Sequence, residues 1–387
     1  PGESKNFNIR GTTSINGGSP LVLIDNVPGS LDMLNPEDIE SVSVLKDAAS
    51  SAIYGARAAF GVILVTTKKA KKGEAFHVNY NNNFGFQSSV DRPKQANGLE
   101  WMQGYLDAEF NAGKYYTGQD IKTWMGYLTE YRKNRSQFQT TENGIYTEPD
   151  TGMEYYLKEN DAYALMLDKF GFLQAHNISV SGGTEKLAYR MSLGYNNEQG
   201  ILITDKDRYK RLSGNAYISA EITPWLSQSI DIRYAQSEKN MPVISDKTHL
   251  YDLRLPTIYP EGSLTLSDGR SLLTNTPSNM LRIATDDNTI RDNARILSRT
   301  VLKPLKGLEI AFEYTFNKSL ANQRKNKAVI DYTTVQLAVQ QTAPTSSLES
   351  KNETTDYNAF NLYGTYHHLW NDSHNFTAMA GFNQESS

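Results

Sequence analysis

The sequence predicts an all-β transmembrane antiparallel β-barrel, partial and of about nine strands, preceded by a small α/β unit. Three observations carry that prediction. From Phe76 onward, segments of roughly ten residues alternate bulky apolar side chains with small or charged ones, the length a tilted transmembrane strand needs. The connections between those segments alternate short and long. Before Lys69 the pattern is different, with short apolar strands, a small-residue helix and glycine turns.

In the first unit, Asn8-Ile9-Arg10 and Leu21-Val22-Leu23-Ile24 read as short strands, and Gly17-Gly18 punctuates the turn between them. Asn35-Pro36-Glu37-Asp38 has the chemistry of a helical first turn: an Asn cap, Pro at the first position, then acids. The alternation Ile39, Val42, Val44 follows at once, so the turn is expected to be brief. Residues 48–54 read as a helix capped by Asp47 and closed by Gly55. Gly61 to Thr67 reads as a buried strand, and Ala70-Lys71-Lys72-Gly73 as a solvated basic linker.

The later segments repeat one rule. Leu187, Tyr189, Met191, Leu193 and Tyr195 share a face opposite Ala188, Arg190, Ser192 and Gly194. Leu226, Ile230, Ile232 and Tyr234 oppose Ser227, Ser229, Asp231 and Arg233, and Leu308 to Phe316 opposes Glu309 to Asn317. Phe376, Ala378, Ala380 and Phe382 repeat it. A soluble sandwich shares that periodicity, but tight turns at 183–186, 223–225, 304–307 and 371–373 separate long excursions near 88–173, 239–290 and 320–354. Trp225 and Trp370 fall beside short turns, where an interfacial aromatic girdle belongs. The excursion 88–173 carries helical spacing at 99–110 and 121–131, with a third helix expected within 160–169; Trp101, Tyr105 and Trp124 read as its small core. Tyr115 and Tyr116, beside Gly113 and Gly118, are the candidates for ligand-facing aromatics.

Composition narrows the functional classes. A net charge of −4 argues against nucleic acid as the partner. The absence of cysteine removes disulfides, thiolate catalysis and cysteine metal sites. The six histidines form no metal set, since the adjacent His367 and His368 point to opposite faces of a strand. Glu309 and Glu313, four apart on one strand face, would lie about 13 Å apart, too far for a paired acid–base site. The sequence therefore predicts no catalytic constellation, no cofactor and no resident metal, and the chain is read as a non-enzyme.

The motifs Ile9-Arg10-Gly11, Ser14-Ile15-Asn16-Gly17-Gly18, Leu34-Asn35-Pro36-Glu37-Asp38-Ile39-Glu40-Ser41, Val44-Leu45-Lys46-Asp47, Ile53-Tyr54-Gly55-Ala56-Arg57 and Gly61 to Lys69 resemble the plug domain of SusC-like TonB-dependent outer-membrane transporters. Asp25 and Pro28 belong to the same set. Two positions depart from the family pattern: Asn26 stands where Gly is usual, and Phe60 where Asn is usual. Asn tolerates a left-handed turn, so the first departure is mild. The resemblance divides the chain into the C-terminal part of a plug, residues 1–72, and the first strands of a barrel, residues 73–387, with 88–173 as a helical extracellular loop insert. It implies active import of a glycan or peptide across a bacterial outer membrane. The implied partners are a SusD-like surface lipoprotein lid, outer-membrane lipid and a TonB-ExbB-ExbD complex that pulls on a segment absent here. The alternative on the same barrel is a non-transporting surface binding protein or adhesin. The resemblance also implies a latch in which plug arginines, Arg10 and Arg57, meet inward barrel acids such as Glu309 and Glu313.

Overall fold

The computed structural model describes residues 19–46, 59–90, 94–112, 120–243, 257–334, 337–370 and 374–387. Four strands form the plug sheet: β1 (Leu21–Ile24), β2 (Val27–Pro28), β3 (Ile39–Leu45) and β4 (Val62–Thr67), in the order β2-β1-β4-β3. β1 runs parallel to β4, in register Leu21 with Val62 through Ile24 with Val65; the other pairs are antiparallel. Asp25 and Asn26 connect β1 to β2 with φ of 50° and 66°, the two left-handed residues a type I′ hairpin requires. Asn26 thus does the work of the usual glycine. Gly61 enters β4 at φ 96°, a conformation open to glycine alone at low cost. The turn after Asn35 is a single 3-10 turn, Pro36–Asp38, with Asn35 Oδ1 accepting from the Glu37 N–H at 3.1 Å. Both faces of the sheet are packed: Ile24, Leu34, Ile63 and Val65 on one side, Leu23 and Val62 on the other. The expected strand at 8–10 and helix at 48–54 lie outside the described residues.

Among the described residues, nine strands form the wall: β5 (His77–Gln87), β6 (Gly171–Gly183), β7 (Leu187–Gln199), β8 (Arg208–Thr223), β9 (Leu226–Pro242), β10 (Asp286–Leu305), β11 (Leu308–Lys327), β12 (Ser347–Trp370) and β13 (His374–Ser386). Each pairs antiparallel with its sequence neighbours in one sheet, and no described plug strand pairs with it. The alternation sorts into faces. Leu193, Ile232 and Phe312 are 61%, 47% and 38% exposed on the outer face, while Ser192, Asp231 and Thr315 are 4%, 3% and 2% exposed on the inner one. Such an apolar exterior over a polar interior is what a barrel wall in lipid presents. No described helix is long and apolar enough to cross a membrane; the strands do so.

Short turns join β6 to β7, β8 to β9 and β10 to β11 at one rim, and the long connections stand at the other. Helices α1 (Gly98–Ala112) and α2 (Ile121–Lys133) pack over Met102, Trp124, Leu128 and Tyr156. Ile258 and Leu264 of the β9–β10 connection complete that core, so two long connections fold as one body. Gly98 is required there, because a Cβ would collide with Ile258 and Leu128. The third short helix, α3 (Ala162–Met166), touches α4 (Pro277–Ile283) through Met166 and Leu281.

The basic stretch after the plug differs from the solvated linker its lysines suggest. Gly73 N–H donates to Thr184 O at 2.9 Å and Gly183 N–H donates to Glu74 O at 2.8 Å. Ser181 Oγ donates to Glu74 Oε1 at 3.0 Å, and Lys72 pairs with Glu221. The side chains of Lys71 and Lys72 reach solvent while the backbone is stitched to the short-turn rim.

Candidate functional site: the plug–wall interface

The interface follows from strand periodicity. On β9, Asp231 and Arg233 are two residues apart and share the inner face. In the ladder Arg233 lies directly opposite Arg295 of β10. Like charges opposite one another on neighbouring strands repel, and here both side chains are buried, 11% and 5% exposed. Asp231 supplies one counter-charge. Its Oδ1 accepts from Arg233 Nε at 2.8 Å and lies 3.7 Å from Arg295 Nη2. The wall by itself therefore carries two arginines against one carboxylate.

The plug supplies the second. Asp25, in the left-handed β1–β2 turn, accepts from Arg233 Nη2 and lies 3.8 Å from Arg295 Nη2. Thr67 at the end of β4 donates its N–H to Asp25 Oδ1 at 3.1 Å and its hydroxyl to Oδ2 at 2.7 Å. Lys69 stands 3.8 Å away, over the ring of Tyr217. Arg295 Nη1 also donates to Ile24 O at 2.9 Å, so the guanidinium holds plug backbone as well as plug charge. Burial pushes the Asp25 carboxyl up; Arg233, then Lys69 and the Thr67 hydrogen bonds, outweigh it and hold the group below the ordinary carboxylate value.

A second contact repeats the polarity. Asp38 closes the 3-10 turn and accepts from Arg190 Nη2 at 3.2 Å and Ser192 Oγ at 2.8 Å, both on the inner face of β7. Arg211 Nη1 of β8 donates to Asp32 O at 2.8 Å. Asn35 presses on Gly194, where any Cβ would collide with its side-chain nitrogen. At these contacts acids and carbonyls of the plug meet guanidinium groups of the wall; at the short-turn rim the polarity reverses, with Lys72 on Glu221.

The structure brings together Asp25, Asn35 and Asp38 of the sequence-derived motif residues. Pro36 is the first residue of the Asp38 turn, Pro28 closes β2, and Lys46 follows β3, exposed. Arg10, Gly11, Asn16, Gly17, Gly18, Asp47, Tyr54, Gly55, Arg57, Tyr115 and Tyr116 lie outside the described residues. The two barrel acids expected to meet plug arginines have wall partners. Glu313 pairs with Arg299 at 3.0 Å and accepts from Tyr363 at 3.1 Å, and Glu309 lies 3.7 Å from Lys303. Sequence reasoning placed Arg190, Arg233 and Asp231 on inner faces and did not see their partners. The available signal was charge on the polar face of mid-wall strands, where a buried charge demands a partner.

Residues 1–62 match the family model described as TonB-dependent Receptor Plug Domain. The chain is 31% identical over 219 residues to TonB-dependent receptor SusC of Bacteroides thetaiotaomicron, an alignment covering 54% of the chain and 18% of that protein. It is 25% identical over 390 residues to TonB-dependent receptor P39 of Formosa agariphila, covering 99% of the chain and 33% of that receptor. The chain thus spans a third or less of these relatives. Its fold superposes on that of the RagAB peptide transporter with a TM-score of 0.67 at 19% identity, over 98% of the chain and 42% of the other.

Proposed function

We propose that this chain is part of a SusC-like TonB-dependent receptor, and that its protein is an active importer in a bacterial outer membrane. A glycan or peptide enters from the long-loop side and passes when the plug is loosened through TonB. A SusD-like surface lipoprotein closes the mouth over the folded long connections. The observation that carries the reading is the plug's attachment. It is seated on the inner wall by charge pairs and hydrogen bonds, Asp25 to Arg233 and Asp38 to Arg190, rather than by a dry apolar core. Polar contacts of that kind exchange for water with little net cost, so a folded domain can fill a wide lumen and still move. A static adhesin has no use for a plug held in this way.

The test is uptake of labelled cargo by cells carrying the full-length receptor. Collapse of the inner-membrane proton gradient is expected to abolish accumulation and leave surface binding intact. Accumulation that is indifferent to the gradient, or binding without any accumulation, would reject active import and favour the binding-protein alternative.

A further inference from the structure

Two cavities flank the charge cluster. A space of about 470 Å³ lies between the plug turns and the inner wall on the long-loop side, and both Arg233 and Arg295 border it. A smaller space, about 260 Å³, lies on the short-turn side and is bordered by Asp25, Lys69 and Asp231. The arginines face the outer space and the acids the inner one.

In the wall ladder Asn215 is opposite Arg233, Arg233 opposite Arg295, and Arg295 opposite Asn317. These four residues form a row across β8 to β11, with neighbours about 5 Å apart, and all four border the outer cavity. The row has unused hydrogen-bonding capacity. Arg233 Nη1 and Arg295 Nε are buried nitrogens without a hydrogen-bond acceptor, Arg295 Nη2 has only the Asp231 and Asp25 carboxylates at 3.7 and 3.8 Å, and Asn215 Oδ1 is a buried oxygen without a donor. Buried guanidinium N–H groups are rarely left open, and two of them on residues that border one cavity are suited to an anionic acceptor. Asp32, Asp38, Asp292 and Glu353 also border the space, as does Arg291. The cavity is therefore not uniformly basic, and its chemistry fits one carboxylate placed at the row rather than a polyanion.

We propose that the row Asn215–Arg233–Arg295 binds a carboxylate of the cargo, with an adjacent O–H or N–H of the cargo donating to Asn215. The inference rests on the importer reading and names the chemistry of what is carried: a uronate-bearing oligosaccharide or a peptide with a free carboxylate. It also gives the site a consequence. Arg233 and Arg295 are the groups that hold Asp25 and the Ile24 carbonyl, so a cargo carboxylate draws on the donors that pin the β1–β2 turn. Occupation of the outer cavity loosens the plug at Asp25.

The experiment uses the purified full-length receptor and two matched probe pairs: tetragalacturonate with its methyl ester, and tetra-alanine with its C-terminal amide. Calorimetric titration is expected to show the acid form of one pair binding at least about 10-fold tighter than its neutral form. Which pair does so identifies the source of the carboxylate. Arg295→Gln is expected to bring acid and neutral forms within about twofold. Because that variant also loses a plug contact, the wild-type protein supplies an independent readout. The acid probe is expected to speed hydrogen exchange of the amides within 21–28, Pro28 excepted, relative to the neutral probe. Equal affinity of acid and neutral forms in both pairs, binding of neither pair at about 5 mM, or exchange at 21–28 that does not rise with the acid probe would each overturn the proposal. Gradient-dependent uptake is a separate readout, so the importer reading can stand while this inference fails.

Discussion

Replacing Asp25 by Asn isolates the charge that the plug contributes to the cluster. Asn adopts the left-handed φ of 50° nearly as readily as Asp, and its Oδ1 still accepts from the Thr67 N–H. What is lost is the counter-charge to Arg233 and Arg295, which remain opposite each other with Asp231 between them. Removing one member of a buried pair costs about 3–5 kcal/mol, and because Asp231 stays, the lower end, about 3 kcal/mol, applies. No discount for solvent is due, since the Asp25 side chain is 5% exposed. The assay is native-state hydrogen exchange at the Asp25 and Thr67 amides, which donate to Val65 O at 2.9 Å and to Asp25 Oδ1 at 3.1 Å. A loss of about 3 kcal/mol corresponds to exchange roughly 100-fold faster. Exchange within about threefold of wild type would refute the claim that the charge anchors the turn.

Four further outcomes follow from the same structure. The Asp25 carboxyl is held low in the folded protein, so its contribution is fully present above the unfolded carboxylate value near 3.9 and is lost as pH falls through the lower folded value. Protection at residues 25 and 67, corrected for intrinsic exchange, is therefore expected to stay flat from about pH 8 to 5, to fall only below about 4, and to lose that dependence in Asp25→Asn. Arg at Ile232 or Phe312, exposed on the outer face, is expected to cost about 2–4 kcal/mol in a folding titration into bilayers, whereas Arg at Ser229, beside the inner cavity, costs under about 1. Gly194→Ala is expected to push Asn35 aside and speed exchange at the Asp38 amide, bonded to Asn35 O, by a factor consistent with about 1–2 kcal/mol. Glu313→Gln breaks a pair whose arginine is 42% exposed, so a shift of about 0–1 kcal/mol in the thermal midpoint is expected; a larger loss would give Glu313 a role beyond its wall neighbours.

Much of the architecture was legible in the sequence because period-two alternation and turn chemistry are local. The faces assigned at 187–195, 226–234 and 308–316, the short and long connections, and the brief turn after Asn35 all need only a few adjacent residues. Inward direction did not reveal available space. Thr315 faces the lumen but is 2% exposed, which leaves no room for the Arg that its direction suggests, whereas Ser229 borders the inner cavity. Nor did the sequence reveal that Ile258 and Leu264 complete the core of Trp124 and Met102, because those partners are more than a hundred residues apart. The interface was hidden for the same reason. Arg233 and Asp231 are visibly inward, but the opposition of Arg233 to Arg295 depends on register across a connection of more than forty residues. Nothing local at Asp25 marks it as the missing counter-charge.

The central claim is that the plug is held to the wall by contacts that must open for transport. The most direct measurement is a reversible lock. Asp38 and Ser192 touch across the interface at 2.8 Å, and these 387 residues contain no cysteine to compete. Asp38→Cys with Ser192→Cys, oxidised in cells, is expected to stop cargo accumulation while leaving surface binding in place, and reductant should restore accumulation to the level of the reduced double variant. Accumulation that proceeds at the same rate with the disulfide closed would contradict the account.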